Sequence, residues 1–178
     1  MTSVTAHRWS SAWLAVRSAA WAVALPVVVA GYVPWRAFGV GSARVDLHRF
    51  DHVLGLACIA SGAALLAACI VEFARSGRGT LSPVDPPRRL VVRGLYRYVR
   101  NPMYLSVTMI VLGEALVTGS RALPVYLGAW FVVVNVFVIA YEEPSLRARF
   151  GREYDDYTRR VGRWVPTLRP RADRHVRA

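Results

Sequence analysis

The chain has 178 residues, 54% of them hydrophobic, and its 23 basic residues outnumber 11 acidic ones for a formal net charge of +12. The apolar residues come in uninterrupted blocks, which suits alternating membrane spans and charged loops rather than an ordinary soluble domain. Every basic residue is arginine, but no zinc spacing, recognition-helix pattern or aromatic-basic strand pattern accompanies them, so no nucleic-acid partner is expected.

Four stretches have the length needed to cross a hydrocarbon core of about 30 Å. The first runs from Ser18 to Trp35 between Arg17 and Arg36, with Pro26 as a kink and Trp21, Tyr32 and Trp35 as interfacial anchors. It lacks the small-residue cleavage pattern of a signal peptide. Beyond it, His48 and His52 stand near Asp46 and Asp51. That spacing can bind metal on a helix, but an incidental interfacial cluster is expected and no metal is assigned.

The second stretch is Val53 to Val71. Its cysteines, Cys58 and Cys69, sit about 16 Å apart along a helix and cannot pair with each other there. Ala57, Ser61, Ala64 and Ala68 line one face, which predicts close helix packing along that stripe. The third runs from Met103 to Ser120 and contains Glu114, and the fourth from Ala122 to Tyr141. A carboxyl inside a span is costly. Folding the last two stretches into a hairpin near Ser120 sets Tyr126 opposite Glu114, and a hydrogen bond from protonated Glu114 to Tyr126 or to the second span is the expected account.

Arginine placement orients the chain, because basic residues in short loops stay on the cytoplasmic side. The loop from Arg75 to Arg100 holds seven, the tail after Tyr141 ten, and the start Arg8 and Arg17; the opposite loops share only Arg36, Arg44, Arg49 and Arg121. The reading is an all-α, polytopic membrane protein with about four transmembrane helices, a C-terminal amphipathic interfacial helix and both termini cytoplasmic. A bacterial inner membrane is the expected location. Residues 1–74 form a segment with two spans, 75–168 a core with the cytoplasmic loop, membrane hairpin and interfacial helix, and 169–178 a basic tail.

Chemistry concentrates where the second loop re-enters the bilayer. Pro83, Pro86 and Pro87 restrict that loop to extended or turn geometry, and its arginines suit carboxylate or phosphate groups. Gly77 and Gly79 follow a span rather than a strand, so they make no dinucleotide-binding loop. Pro102 falls at a helix start, which puts Asn101 near the N-cap, able to cap the helix or to face a ligand. The fourth span ends in Glu142-Glu143-Pro144. The same hairpin places Asn101, Tyr104, Asn135 and Glu142 in one polar pocket at the membrane edge. After it, Leu146, Phe150, Tyr154, Tyr157 and Val161 recur at intervals of three and four, the stripe of an amphipathic helix, with Trp164 and Pro166 fixing its end.

The combination of Leu90-Val91-Val92-Arg93-Gly94-Leu95-Tyr96-Arg97-Tyr98-Val99-Arg100-Asn101-Pro102-Met103-Tyr104, Glu142-Glu143 and Phe150-Gly151-Arg152-Glu153-Tyr154 resembles the isoprenylcysteine carboxyl methyltransferase and phospholipid methyltransferase superfamily. The resemblance covers about half the chain, from Gly77 to Pro166. It implies an integral membrane methyltransferase that binds S-adenosylmethionine in a pocket facing the cytoplasm and admits a membrane lipid or lipidated small substrate from the bilayer. The implied cofactor contacts are Leu90, Val91, Gly94, Tyr96, Asn101, Pro102, Met103, Tyr104, Glu142 and Glu143. The implied catalytic set is Arg100, Asn101, Tyr104 and Glu143. Asn101 stands where many relatives carry histidine. The arginine that prenylcysteine enzymes place shortly before the acidic pair is replaced here by Val138, Ile139, Ala140 and Tyr141. A membrane sterol-reductase-like enzyme using a reduced nicotinamide cofactor, and a non-catalytic lipid-binding protein, are the alternatives.

Overall fold

The computed structural model describes residues 24–76 and 90–167. The start of the first expected span, the proline-rich part of the loop at 77–89 and the basic tail lie outside the described residues. Within them the chain is helical and has no strand, only an isolated parallel bridge between Val99 and Gly162. The principal helices are α1 (Ala24–Phe38), α2 (Phe50–Ser76), α3 (Pro102–Thr118), α4 (Ala122–Phe137), α5 (Glu143–Phe150) and α6 (Arg152–Arg160). The segments Phe50–Glu72 and Ala122–Phe150 are long and apolar enough to cross a membrane; α1 and α3 are shorter apolar helices.

α3 lies at the centre. Its Val107, Val111 and Ala115 pack with Ala30 of α1 and Leu123 of α4 into one core, flanked by Val29, Phe38, Tyr126, Leu127 and Trp130. The opposite face of α3 meets α2 through glycines. A Cβ at Gly62 would lie 2.8 Å from the Ser106 carbonyl oxygen, one at Gly55 2.7 Å from that of Gly113, and one at Gly113 would press on the Gly55 oxygen. These positions let the two backbones approach as no larger residue allows. The expected stripe is elsewhere: Ala57, Ser61, Ala64 and Ala68 are exposed, while His52, Gly55, Gly62 and Cys69 are buried. Alanine, serine and glycine weigh alike in a small-residue pattern, but only glycine removes the last carbon.

Glycines also end helices. Gly39 closes α1 and Gly119 closes α3, at φ 68° and 63°, backbone angles that cost a residue with a Cβ. Two wide π-helical turns, Val28–Tyr32 in α1 and Val138–Glu142 between α4 and α5, each end two residues before a proline, Pro34 and Pro144. Proline offers no N–H to the carbonyl four residues back and crowds it, and the widened turn absorbs both effects.

The expected C-terminal amphipathic helix is divided into α5 and α6 at Gly151, whose φ of 51° and ψ of −124° are not helical. Arg147 and Asp155 clamp the bend at 2.8 Å. The apolar stripe is intact: Tyr154, Tyr157 and Val161 are buried with Leu146 and Phe150, and their partners are Leu90 and Val92 of the preceding loop.

One expectation about a polar group changes. The Tyr126 hydroxyl donates to the Val29 carbonyl oxygen of α1 at 2.9 Å, and Glu114 Oε2 is buried with no hydrogen-bond partner among the described residues. The Glu114–Tyr126 bond is therefore absent, because α1 supplies the competing acceptor. At the opposite end, His52 Nδ1 accepts the Asp46 N–H at 3.0 Å and Asp46 Oδ1 accepts the His48 N–H at 2.9 Å. These contacts shape the turn before α2. Among the described residues no group of three potential ligands could hold a metal ion.

Candidate functional site

Polar residues converge where the start of α3 and the turn after α4 meet residues 161–167. Asn101 precedes Pro102, the first residue of α3, but its side chain does not cap the helix. It is buried, with Nδ2 donating to the Arg163 carbonyl oxygen at 3.3 Å. One turn on, the Tyr104 hydroxyl donates to Glu142 Oε2 at 3.2 Å. That bond ties the start of α3 to the end of α4.

The acidic pair divides its work. Glu143 Oε1 accepts from Arg100 Nη1 at 2.8 Å and from Arg163 Nε at 2.7 Å, and Oε2 accepts from Arg163 Nη2 at 2.9 Å. Arg100 and Arg163 thus pair with this one carboxylate on both of its oxygens. Glu142 has no such cation among its contacts with the described residues. Arg100 Nε is buried with no hydrogen-bond partner among the described residues.

A strap formed by residues 161–167 closes one side. It runs beside residues 98–101: the Arg100 N–H donates to the Gly162 carbonyl oxygen at 2.9 Å and the Thr167 N–H to that of Tyr98 at 2.7 Å. From the strap, Trp164 Nε1 donates to Asn135 Oδ1 at 3.0 Å, and its ring lies 6.4 Å from Tyr104 and 5.1 Å from Phe131, centroid to centroid. Sequence reasoning placed Trp164 only at a helix end and passed over Arg163. The usable signal was a Trp-Val-Pro run just past an amphipathic helix, with an arginine directly before it.

The loop leading into α3 supplies the other residues. Gly94 has φ 55° and opens the short 3-10 turn Gly94–Arg97; a Cβ there would stand 2.9 Å from Glu72 Oε2. The Tyr96 phenol is pushed well above its ordinary value, chiefly by burial, and its carbonyl accepts the Tyr157 hydroxyl at 2.6 Å. Burial raises the Tyr157 phenol too, so it stays a donor near neutral pH. The Leu90 side chain packs on Tyr154, Tyr157 and Val161 rather than among the polar groups. Val91 is half-buried beside it, and Pro102 and Met103 form the first turn of α3, where the Met103 carbonyl accepts the Ser106 hydroxyl at 2.7 Å. The geometry thus joins Arg100, Asn101, Tyr104, Glu142 and Glu143, together with Asn135, Arg163 and Trp164.

This arrangement can hold an anion at the guanidiniums, accept hydrogen bonds at Glu142 and present aromatic faces beside both. Comparison with known proteins gives it a context. A protein of Haemophilus influenzae described as uncharacterized is 38% identical over 63 residues, covering 35% of this chain and all of that protein. No solved structure matches. The family model for phospholipid methyltransferase matches residues 50–153, which takes in α2, α3, α4, α5 and both acidic residues. The chain belongs to the phospholipid methyltransferase family, a family of membrane methyltransferases.

Proposed function

We propose that this protein transfers a methyl group from S-adenosylmethionine to a lipophilic acceptor, with the donor held among Arg100, Asn101, Tyr104 and Glu142 at the cytoplasmic face. The observation that carries this reading is the Tyr104–Glu142 hydrogen bond, which brings the two family-like motifs, 38 residues apart, into one pocket beside Arg100. The residues present suit such a donor. Arg100 has a buried Nε without a partner among the described residues, a donor suited to a carboxylate. Glu142 offers acceptors for hydroxyl or amino groups, and the Tyr104 ring offers a face to a cation.

When bound, S-adenosylmethionine supplies a methyl group on positively charged sulfur, open to in-line attack by a nucleophile, with S-adenosylhomocysteine leaving with the bonding electron pair. The protein's part is alignment and exclusion of water. Asn101, a neutral amide, orients without changing charge near neutral pH. A carboxylate acceptor is already ionised at neutral pH, whereas a lipid ammonium must first lose a proton. Glu142 is the better base for that proton, because Glu143 is committed to Arg100 and Arg163. Leu90 serves the reading by buttressing α6, and Gly94 by turning the loop past Glu72 toward the pocket.

Calorimetry on the detergent-purified chain tests the proposal. S-adenosylmethionine should bind and reduced nicotinamide cofactor should not; the reverse preference favours a reductase, and no binding of either favours a lipid-binding protein. Asn101→Ala and Glu142→Ala should each weaken donor binding about tenfold, the loss of one good hydrogen bond to a charged or buried group. Unchanged affinity in both variants moves the donor elsewhere. Labelled donor incubated with a membrane lipid extract then identifies the acceptor by which species gains label.

A further inference from the structure

Trp164 occupies the boundary between the polar pocket and the outer face of α4. Its ring packs at a tilt against Tyr104, whose hydroxyl reaches Glu142, and against Phe131. Phe131 is 37% exposed, and Val132 and Val136 on the same helix are also exposed, the apolar surface that a bilayer would cover. Trp164 thus links that apolar surface, through Phe131, to Tyr104 and the polar groups beyond it. Beside it, Val165 is 76% exposed, an apolar neighbour that fits contact with hydrocarbon rather than water.

The ring is fixed on several sides. Asn135 holds the indole N–H at 3.0 Å. The strap that carries it is tied by the Arg100–Gly162 and Thr167–Tyr98 backbone bonds and by the Asn101–Arg163 contact. Arg163, the adjacent residue, is bidentate on Glu143. A ring anchored this way selects by its bulk, not by swinging aside.

Given the methyltransferase reading, on which this rests, we propose that Trp164 is a specificity-determining residue for the methyl acceptor: it is the wall past which the acceptor's head must reach the pocket from the bilayer, and it sets how large that head can be. Shape exclusion of this kind changes the ratios between acceptors, whereas a general loss of the pocket lowers all transfers together.

The test uses the full chain in nanodiscs containing dioleoylphosphatidylethanolamine, its N-methyl and N,N-dimethyl forms, and N-acetyl-S-farnesylcysteine, with labelled S-adenosylmethionine. Donor affinity is measured in parallel by calorimetry. Trp164→Ala should change the ratio of label between the smallest-headed and bulkiest acceptors about tenfold toward the bulkier, a ratio that a change in donor affinity leaves untouched because it scales every transfer alike. Trp164→Phe, which keeps a packed ring, should shift the ratio about threefold and carries the test should the alanine variant not fold. An unchanged ratio in a variant that folds overturns the proposal. So does an equal fall in donor affinity and in every transfer, the mark of a purely structural ring, and so does donor binding without transfer from either wild type or variant. A wild-type protein that binds no donor instead sinks the methyltransferase reading.

Discussion

At Gly94 two constraints coincide, a φ of 55° and the Glu72 carboxylate 2.9 Å from where a Cβ would stand. Their weights differ. The carboxylate is the end of a flexible side chain and can swing away, whereas a positive φ costs an alanine about 1–2 kcal/mol wherever its neighbours go. Gly94→Ala should therefore lower the thermal stability of the purified protein by about that amount, and adding Glu72→Ala should restore little of it; full rescue would show the contact to be the real constraint. Single residues were also where the sequence spoke least evenly. Arg100, Asn101, Tyr104 and the acidic pair were legible because proline and a span boundary fix their position along the chain. The division of labour between Glu142 and Glu143 was not, since it depends on Arg163, which reaches Glu143 from 20 residues away.

Helices α2 and α3 join through glycine, and that contact discriminates between positions with similar sequence surroundings. At Gly113 a Cβ would meet the Gly55 carbonyl oxygen and lie 2.9 Å from the Ile59 amide nitrogen, both backbone atoms that cannot move separately; at Gly128 nothing lies within 4 Å. Gly113→Ala should destabilise by about 1–3 kcal/mol as an overpacked contact, while Gly128→Ala should be neutral or slightly stabilising, a contrast measurable by thermal unfolding in one detergent. The helices themselves were readable from charge-free length. Their contact faces were not, because α2 displays alanine and serine on one side and glycine on another. The bend at Gly151 escaped notice for a related reason: the apolar period runs through it unbroken.

The strap also responds to acid. Glu143 ties Arg163 and Arg100 together as a carboxylate, so its contribution is lost once acid protonates it. Acidification below about 4 should loosen Arg163 and expose Trp164, seen as an emission shift present in wild type and missing in Trp164→Phe. A shift that appears instead between pH 6 and 8 would assign the response to another group.

Across the whole molecule, arginine distribution makes a claim about sidedness that contacts between helices do not. If basic loops stay inside, a reporter fused after Ala178 should be active in the cytoplasm and one inserted after Ser120 on the opposite side. Identical behaviour of the two fusions would refute the four-span arrangement. The general architecture was legible because burying backbone in lipid demands long helices. The closure of the site was not, because it joins residues 98–101 to residues 161–167, which share no periodicity and pair through main-chain atoms.

That pairing sets an order of events during synthesis. Helices α2, α3 and α4 can settle against one another while the ribosome is still translating, yet Arg100 and Asn101 lack their main-chain partners until Gly162, Arg163 and Trp164 emerge. A chain halted at Arg160 would hold every apolar helix described here and an unfinished pocket. Packing of the helices and closure of the candidate site are therefore separable in time, with the last strap as the step that joins them.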